Sequence, residues 1–270
     1  MNLVSYYRCF QGIGIREGLR FVHQRGRFFS ALVRPLVWLF IFAAGFRSVL
    51  GVSMIAPYDT YVLYEEYITP GLVGMILLFN GMQSSLSMVY DREMGSMRVL
   101  LVSPLPRWYL LSCKLMAGVL VAVIQVYVFL LISFFWDVEP PLIGYLAVLP
   151  ALFVSGLMLG AMGLLLSSLV KQLENFAGVM NFIIFPMFFA SSALYPLWRV
   201  RDSSLLLYYF CEFNPFTHAV ELIRFALYGQ FNSIAAIVVL SVLIVFLCGS
   251  IYGYDPSRGF MARRPGGGGG

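Results

Sequence analysis

Six stretches of this chain, near residues 30–50, 68–89, 109–135, 142–169, 175–195 and 232–253, are apolar and long enough to cross about 30 Å of hydrocarbon as helices. That pattern leaves few architectures open. Inside a bilayer every backbone N–H and C=O must find a partner within the protein, and only helices and closed barrels achieve this; runs of twenty or so apolar residues favour helices. With 60% hydrophobic and 11% charged residues and a mean hydropathy of +0.83, the chain departs far from a soluble domain, in which about 25% of residues are charged. The expected fold is therefore all-α, a polytopic membrane protein with six transmembrane helices spread over residues 30–256.

The remaining segments are short. Residues 1–29 carry Arg16, Arg20, His23 and Arg27 at helical spacing beside Ile15, Leu19 and Val22, which predicts an amphipathic helix lying on the membrane surface. It either serves only as a basic flank for lipid headgroups or also touches a partner. The opening residues lack a short apolar core followed by a small-residue cleavage site, so no signal peptide is evident. Residues 197–229 are apolar but interrupted by Glu212, Asn214, Pro215, His218, Glu221 and Arg224, and read as a re-entrant helical hairpin. Residues 257–270 read as a flexible tail.

Orientation follows from the Lys and Arg residues on alternating sides of the six spans, fourteen against four. The richer side holds both termini, which are expected to be cytoplasmic. It also holds the oddest passage, "YDREMGSMRVLLVSPLPRWYLLSCK", residues 90–114. Asp91 is placed to cap a short helix with Glu93 in its first turn; Met94, Met97 and Leu101 give it an apolar face, and Pro104 and Pro106 stop it. Such a helix at the foot of two spans is a docking knob or a headgroup-bound loop.

Several chemistries lack their residues. The two lysines, Lys114 and Lys171, follow no glycine-rich turn, so the chain has no P-loop. The span interiors read as free of carboxylate, His and Lys, which disfavours an ion-coupled carrier. Asn80, Gln83, Gln125 and Asn181 are the polar groups at depth, expected to bond between helices. Cys9, Cys113, Cys211 and Cys248 are scattered and read as packing thiols. No catalytic cluster, metal ligand set or nucleic-acid surface is evident, and a membrane-embedded lipid-modifying enzyme or a scaffold is the competing reading.

Pro70 and Gly71 at the entry of the second span, and Pro186 inside the fifth, are expected to bend or unwind their helices; Gly156, Gly160 and Gly163 share a face that admits a neighbouring helix. Asn214 followed by Pro215 is a helix start, and that helix should run to Gly229. Glu221 and Arg224, three apart, form either a buried or a solvated pair.

Three stretches carry a resemblance: "DREMGSMRVLLVSPLPRWYLLSCKLMAG", "FPMFFASSALYPL" at 185–197 and "NPFTHAVELIR" at 214–224. In this order they resemble the ABC-2 type transporter permeases, and most the small permeases paired with a separate ATPase, such as the subgroup associated with quinoprotein alcohol dehydrogenase systems. The resemblance implies an exporter of hydrophobic or amphipathic substrates, built from two permeases, identical or related, and a separate nucleotide-binding ATPase that holds the ATP and Mg. It further implies that residues 91–104 are the coupling helix, with Asp91, Arg92, Glu93, Met94, Met97, Arg98 and Leu101 facing that ATPase. Pro70, Gly71, Pro186, Asn214, Pro215, Glu221 and Arg224 are the structural or gating candidates.

Overall fold

The computed structural model describes residues 3–23, 25–46, 57–58, 62–94, 105–136, 138–170 and 172–254. They form α1 (Leu3–His23), α2 (Arg25–Phe46), α3 (Tyr64–Glu93), α4 (Arg107–Phe134), α5 (Leu142–Leu169), α6 (Leu173–Phe189), α7 (Leu197–Ser203), α8 (Leu205–Glu212), α9 (Pro215–Leu227) and α10 (Ser233–Gly253). The chain is an all-helical, polytopic bundle. Among the described residues α3, α4, α5 and α10 are long and apolar enough to span a membrane, while α2 holds a shorter apolar core, Leu32–Ile41, and α6 is a 17-residue apolar helix.

The hub is α3, because it is the one long helix with apolar side chains enclosed on every side, among them Ile68, Leu72, Ile76, Leu78 and Met82. Around it pack α2, α4, α5, α6 and α9. The closest approach is to α5: a Cβ on Gly81 would lie 3.0 Å from the backbone of Gly160. Gly156 and Gly160 meet Val119 and Leu115 of α4, and Gly163 meets Ser85 of α3, so the glycine face of α5 is a packing surface. At the periphery α10 rests on α5 and turns Ile234, Ile237, Ile244 and Val245 outward, as a lipid-facing helix would.

Two expectations are corrected. The helix of the fifth span stops at Phe189 rather than running to 195. The helix runs through Pro186; Ala190, whose N–H still bonds Pro186 O at 2.9 Å, leaves helical geometry at φ −91° and ψ 59°, and the carbonyls of Met187 and Ala190 accept from the Asn214 side chain at 2.7 and 2.6 Å. At the other proline no unwinding occurs: α3 is helical through Pro70 and Gly71, with Thr69 Oγ1 donating to Glu65 O at 2.7 Å beside the missing donor. Residues 197–229 form three short helices; the chain enters them from the end of α6 and leaves into α10 at the same end of the bundle.

Candidate functional site

Polar side chains gather at the two ends of the bundle. At the end where α6 stops, residues 190–194 run as non-helical backbone, buried from Ser191 on, which inside a membrane requires side chains to satisfy it. Four side chains do so. Asn214 Nδ2 holds Met187 O and Ala190 O while its Oδ1 accepts from Phe216 N at 3.0 Å, capping α9; Pro215 then occupies the first helical position. Tyr64 donates to Leu194 O at 2.6 Å and Tyr67 to Ser192 O at 3.1 Å. Arg224 Nη2 donates to the same Ser192 O at 2.7 Å, its Nη1 to Glu221 Oε1, and its guanidinium lies 4.2 Å from the centroid of the Tyr67 ring.

Arg224 is only 2% exposed, so the arginine of the pair is enclosed, while the Glu221 side chain keeps 21% exposure. Gly71 completes the cluster, because a Cβ there would lie 2.5 Å from Ala193 O. Just outside, Tyr58 is buried against Tyr228 and Tyr67, and that burial pushes its phenol above the usual range. The structure therefore brings Gly71, Asn214, Pro215, Glu221 and Arg224 around the stretch that follows Pro186, with Pro70 one residue from the contact. The sequence reading missed Tyr64 and Tyr67; their spacing with Gly71 at i, i+3 and i+7 marks one face of α3, though nothing local says what that face meets.

At the opposite end the carboxylate of Asp91, 3% exposed, lies 3.3 Å from Lys114 Nζ, 3.6 Å from Arg16 and 3.8 Å from Arg20. This overturns the expectation that Asp91 caps a separate short helix: α3 continues through Glu93, and Asp91 points inward because Lys114, on the adjacent α4, needs a counter-ion. Asp91 and Lys114 both sit within long helices near their ends, not at mid-span. The next two residues tie other elements. Arg92 donates to Val170 O, at the end of α5, and Glu93 Oε1 accepts from Leu173 N at 2.8 Å, satisfying an open N–H at the start of α6.

Met94 stands outward, 63% exposed, while Met97, Arg98 and Leu101, with the rest of 95–104, lie outside the described residues. α1 does more than lie flat: besides its two arginines, Tyr6 O accepts from the Tyr109 hydroxyl at 2.7 Å and the two rings meet edge to face at 4.8 Å. Burial pushes the Cys9 thiol up, so it is no activated nucleophile. Between the two ends Asn80 donates to Gln125 across α3 and α4, and the guanidinium of Arg34 lies over Phe79.

This bundle has relatives. The profile of the ABC-2 type transporter family matches residues 8–228. A Cyanophora paradoxa protein named as a transport permease, ycf38, is 29% identical over 206 residues, covering 73% of this chain and 66% of that one. A protein of Escherichia coli (strain K12) named as a multidrug ABC transporter permease, YbhR, is 31% identical over 170 residues, 62% of this chain and 45% of that one. The ycf38 protein of Porphyra purpurea is 25% identical over 202 residues, 73% of this chain and 66% of its own length. These matches reach the family and not the quinoprotein-associated subgroup. The family profile spans both polar clusters and all but the last of the spanning helices, and on that basis the chain belongs to the ABC-2 type transporter family.

Proposed function

We propose that this chain is the permease subunit of an ATP-driven exporter, docking a separate ABC ATPase through the segment that leaves α3 at Met94 and moving hydrophobic or amphipathic substrates. The observation that carries this reading is the set of ties on three successive residues. Asp91 holds α1 and α4, Arg92 holds the end of α5, and Glu93 holds the start of α6. A push on 95–104 would therefore reach four other helices at once. In this reading Met94, Met97, Arg98 and Leu101 meet the ATPase, while Asp91, Arg92 and Glu93 pass its movement inward.

ATP and Mg would be held by that partner, since neither lysine of this chain follows a glycine-rich turn. A second permease, identical or related, would cover the open faces of α2 and α6, where Val33, Val37, Ile41, Phe182 and Phe185 stand exposed, and cargo would pass along that interface. The basic end would face the cytoplasm of a bacterial cell, with both termini on that side.

Two measurements test it. Coexpressed with the ABC ATPases of the same cell, the chain should copurify with one of them, and Met97→Asp with Leu101→Asp should abolish this while leaving the bundle intact, because both charges would be desolvated at the contact. Undiminished copurification would remove the docking assignment. Cysteines placed at Asp59 and Asp137 should react with an impermeant thiol reagent in whole cells and one at Ser96 should not; the reverse pattern would invert the orientation.

A further inference from the structure

Arg34 is a charge that neither polar cluster uses. Its guanidinium carbon lies 3.8 Å from the centroid of the Phe79 ring. Phe79 comes 15 residues after Tyr64 and 14 before Glu93 (79 − 64 and 93 − 79), so it marks the middle of the 30-residue α3. At 1.5 Å per residue that is about 21 Å from either end. A cation held there is far from either surface, and ionisable groups at such depth face a cavity, a partner or a ligand path.

The surroundings narrow the choice. Among the described residues Arg34 makes no ion pair, and its neighbours on the exposed face of α2 are Val33, Val37 and Ile41. Phe79 is buried and takes one face of the guanidinium, which holds it against α3 instead of letting it trail toward the basic end. Arg34 is itself exposed on that face, and for its planar fork of donors a carboxylate, phosphate or sulfonate is the matching acceptor.

The geometry points to a binding site for the anionic head of an amphipathic substrate: the head pairs with Arg34 over Phe79, and the apolar body lies along Val33, Val37 and Ile41. This names the substrate class of the exporter proposed above and rests on that reading. A resident acidic phospholipid offers the same head chemistry, so the experiment separates the two sources.

The purified full-length chain is titrated with oleate and with its uncharged isostere oleamide, by thermal shift and native mass spectrometry, in nanodiscs of phosphatidylcholine with and without phosphatidylglycerol. Oleate should bind about tenfold more tightly than oleamide to the wild type. Arg34→Gln should erase the preference, Arg34→Lys should keep part of it, and Phe79→Leu should weaken it with the charge intact. Equal binding of the two ligands, or an unchanged preference in Arg34→Gln, overturns the site. An Arg34-dependent shift with phosphatidylglycerol and none with oleate overturns the substrate assignment in favour of a bound lipid. These readouts need no ATPase, so a chain that keeps the preference yet captures no ATPase would fail as an exporter subunit and not as an anion binder.

Discussion

The two buried ionic clusters occupy opposite ends of one bundle and satisfy their charges differently. At the α9 end a single enclosed arginine is held on three sides: by a carboxylate one helical turn away, the backbone carbonyl of Ser192 and the face of Tyr67. At the α1 end a single enclosed carboxylate faces three cations from two other helices, and Arg16 is 54% exposed. Removing the enclosed member should be costly at both ends, but only the second has a partner more than half in water, since Glu221 is 21% exposed against 54% for Arg16. One end is welded and the other jointed, and the joint lies where the proposed docking segment leaves the bundle.

The largest expected effect comes from breaking the welded end. Arg224→Leu should destabilise the bundle by about 3–5 kcal/mol, because Glu221 and the Ser192 carbonyl both lose their buried partner. The measurement is the thermal midpoint and monodisperse yield of the purified protein. Charge reversal sharpens the same point. If Glu221 and Arg224 were an isolated pair, the double swap Glu221→Arg with Arg224→Glu would restore most of the loss. Since position 224 also faces the Ser192 carbonyl, the structure predicts little recovery, and recovery to wild-type stability would show that the carbonyl contact adds nothing.

At the jointed end Asp91→Asn should cost about 2–3 kcal/mol, since Lys114 is left nearly buried beside a neutral amide. Combined with Lys114→Met the loss should be smaller than the sum of the single losses, which a double-mutant cycle on thermal stability reads directly. Strict additivity would mean that the two residues do not act as a pair.

The smallest effect is expected at Arg16. Arg16→Ala should change stability by about 0–1 kcal/mol, and that change should fade as salt is raised, because the side chain is half in water. A loss as large and salt-insensitive as that of Asp91→Asn would make the α1 end as rigid as the α9 end and erase the contrast. In the exporter reading the same variant should lower ATPase stimulation by more than its stability effect explains.

The legibility of each cluster follows the sequence distance of its contacts. The start of α9 could be read from two adjacent residues, since an Asn cap and a Pro at the first helical position act on backbone within one turn. The partnership of Glu221 with Arg224 was legible as a possibility from their three-residue spacing. What Asn214 does with its amide nitrogen was not, because Met187 and Ala190 lie 27 and 24 residues earlier and no local rule places them there. Asp91 was misread for the same reason: capping and pairing compete for one carboxylate, and Lys114, 23 residues on, is close only once α3 and α4 pack.

By itself the sequence determined that the chain is a membrane bundle, roughly where its helices run and which side carries the positive charge, because hydrocarbon forces backbone bonding to be local and makes length and apolarity decisive. Only the tertiary structure decided where α6 stops, which side chains satisfy residues 190–194, and that Arg34 rests on Phe79 at mid-height. Those outcomes depend on the register and rotation of one helix against another, which many side chains set together and no short stretch of sequence records.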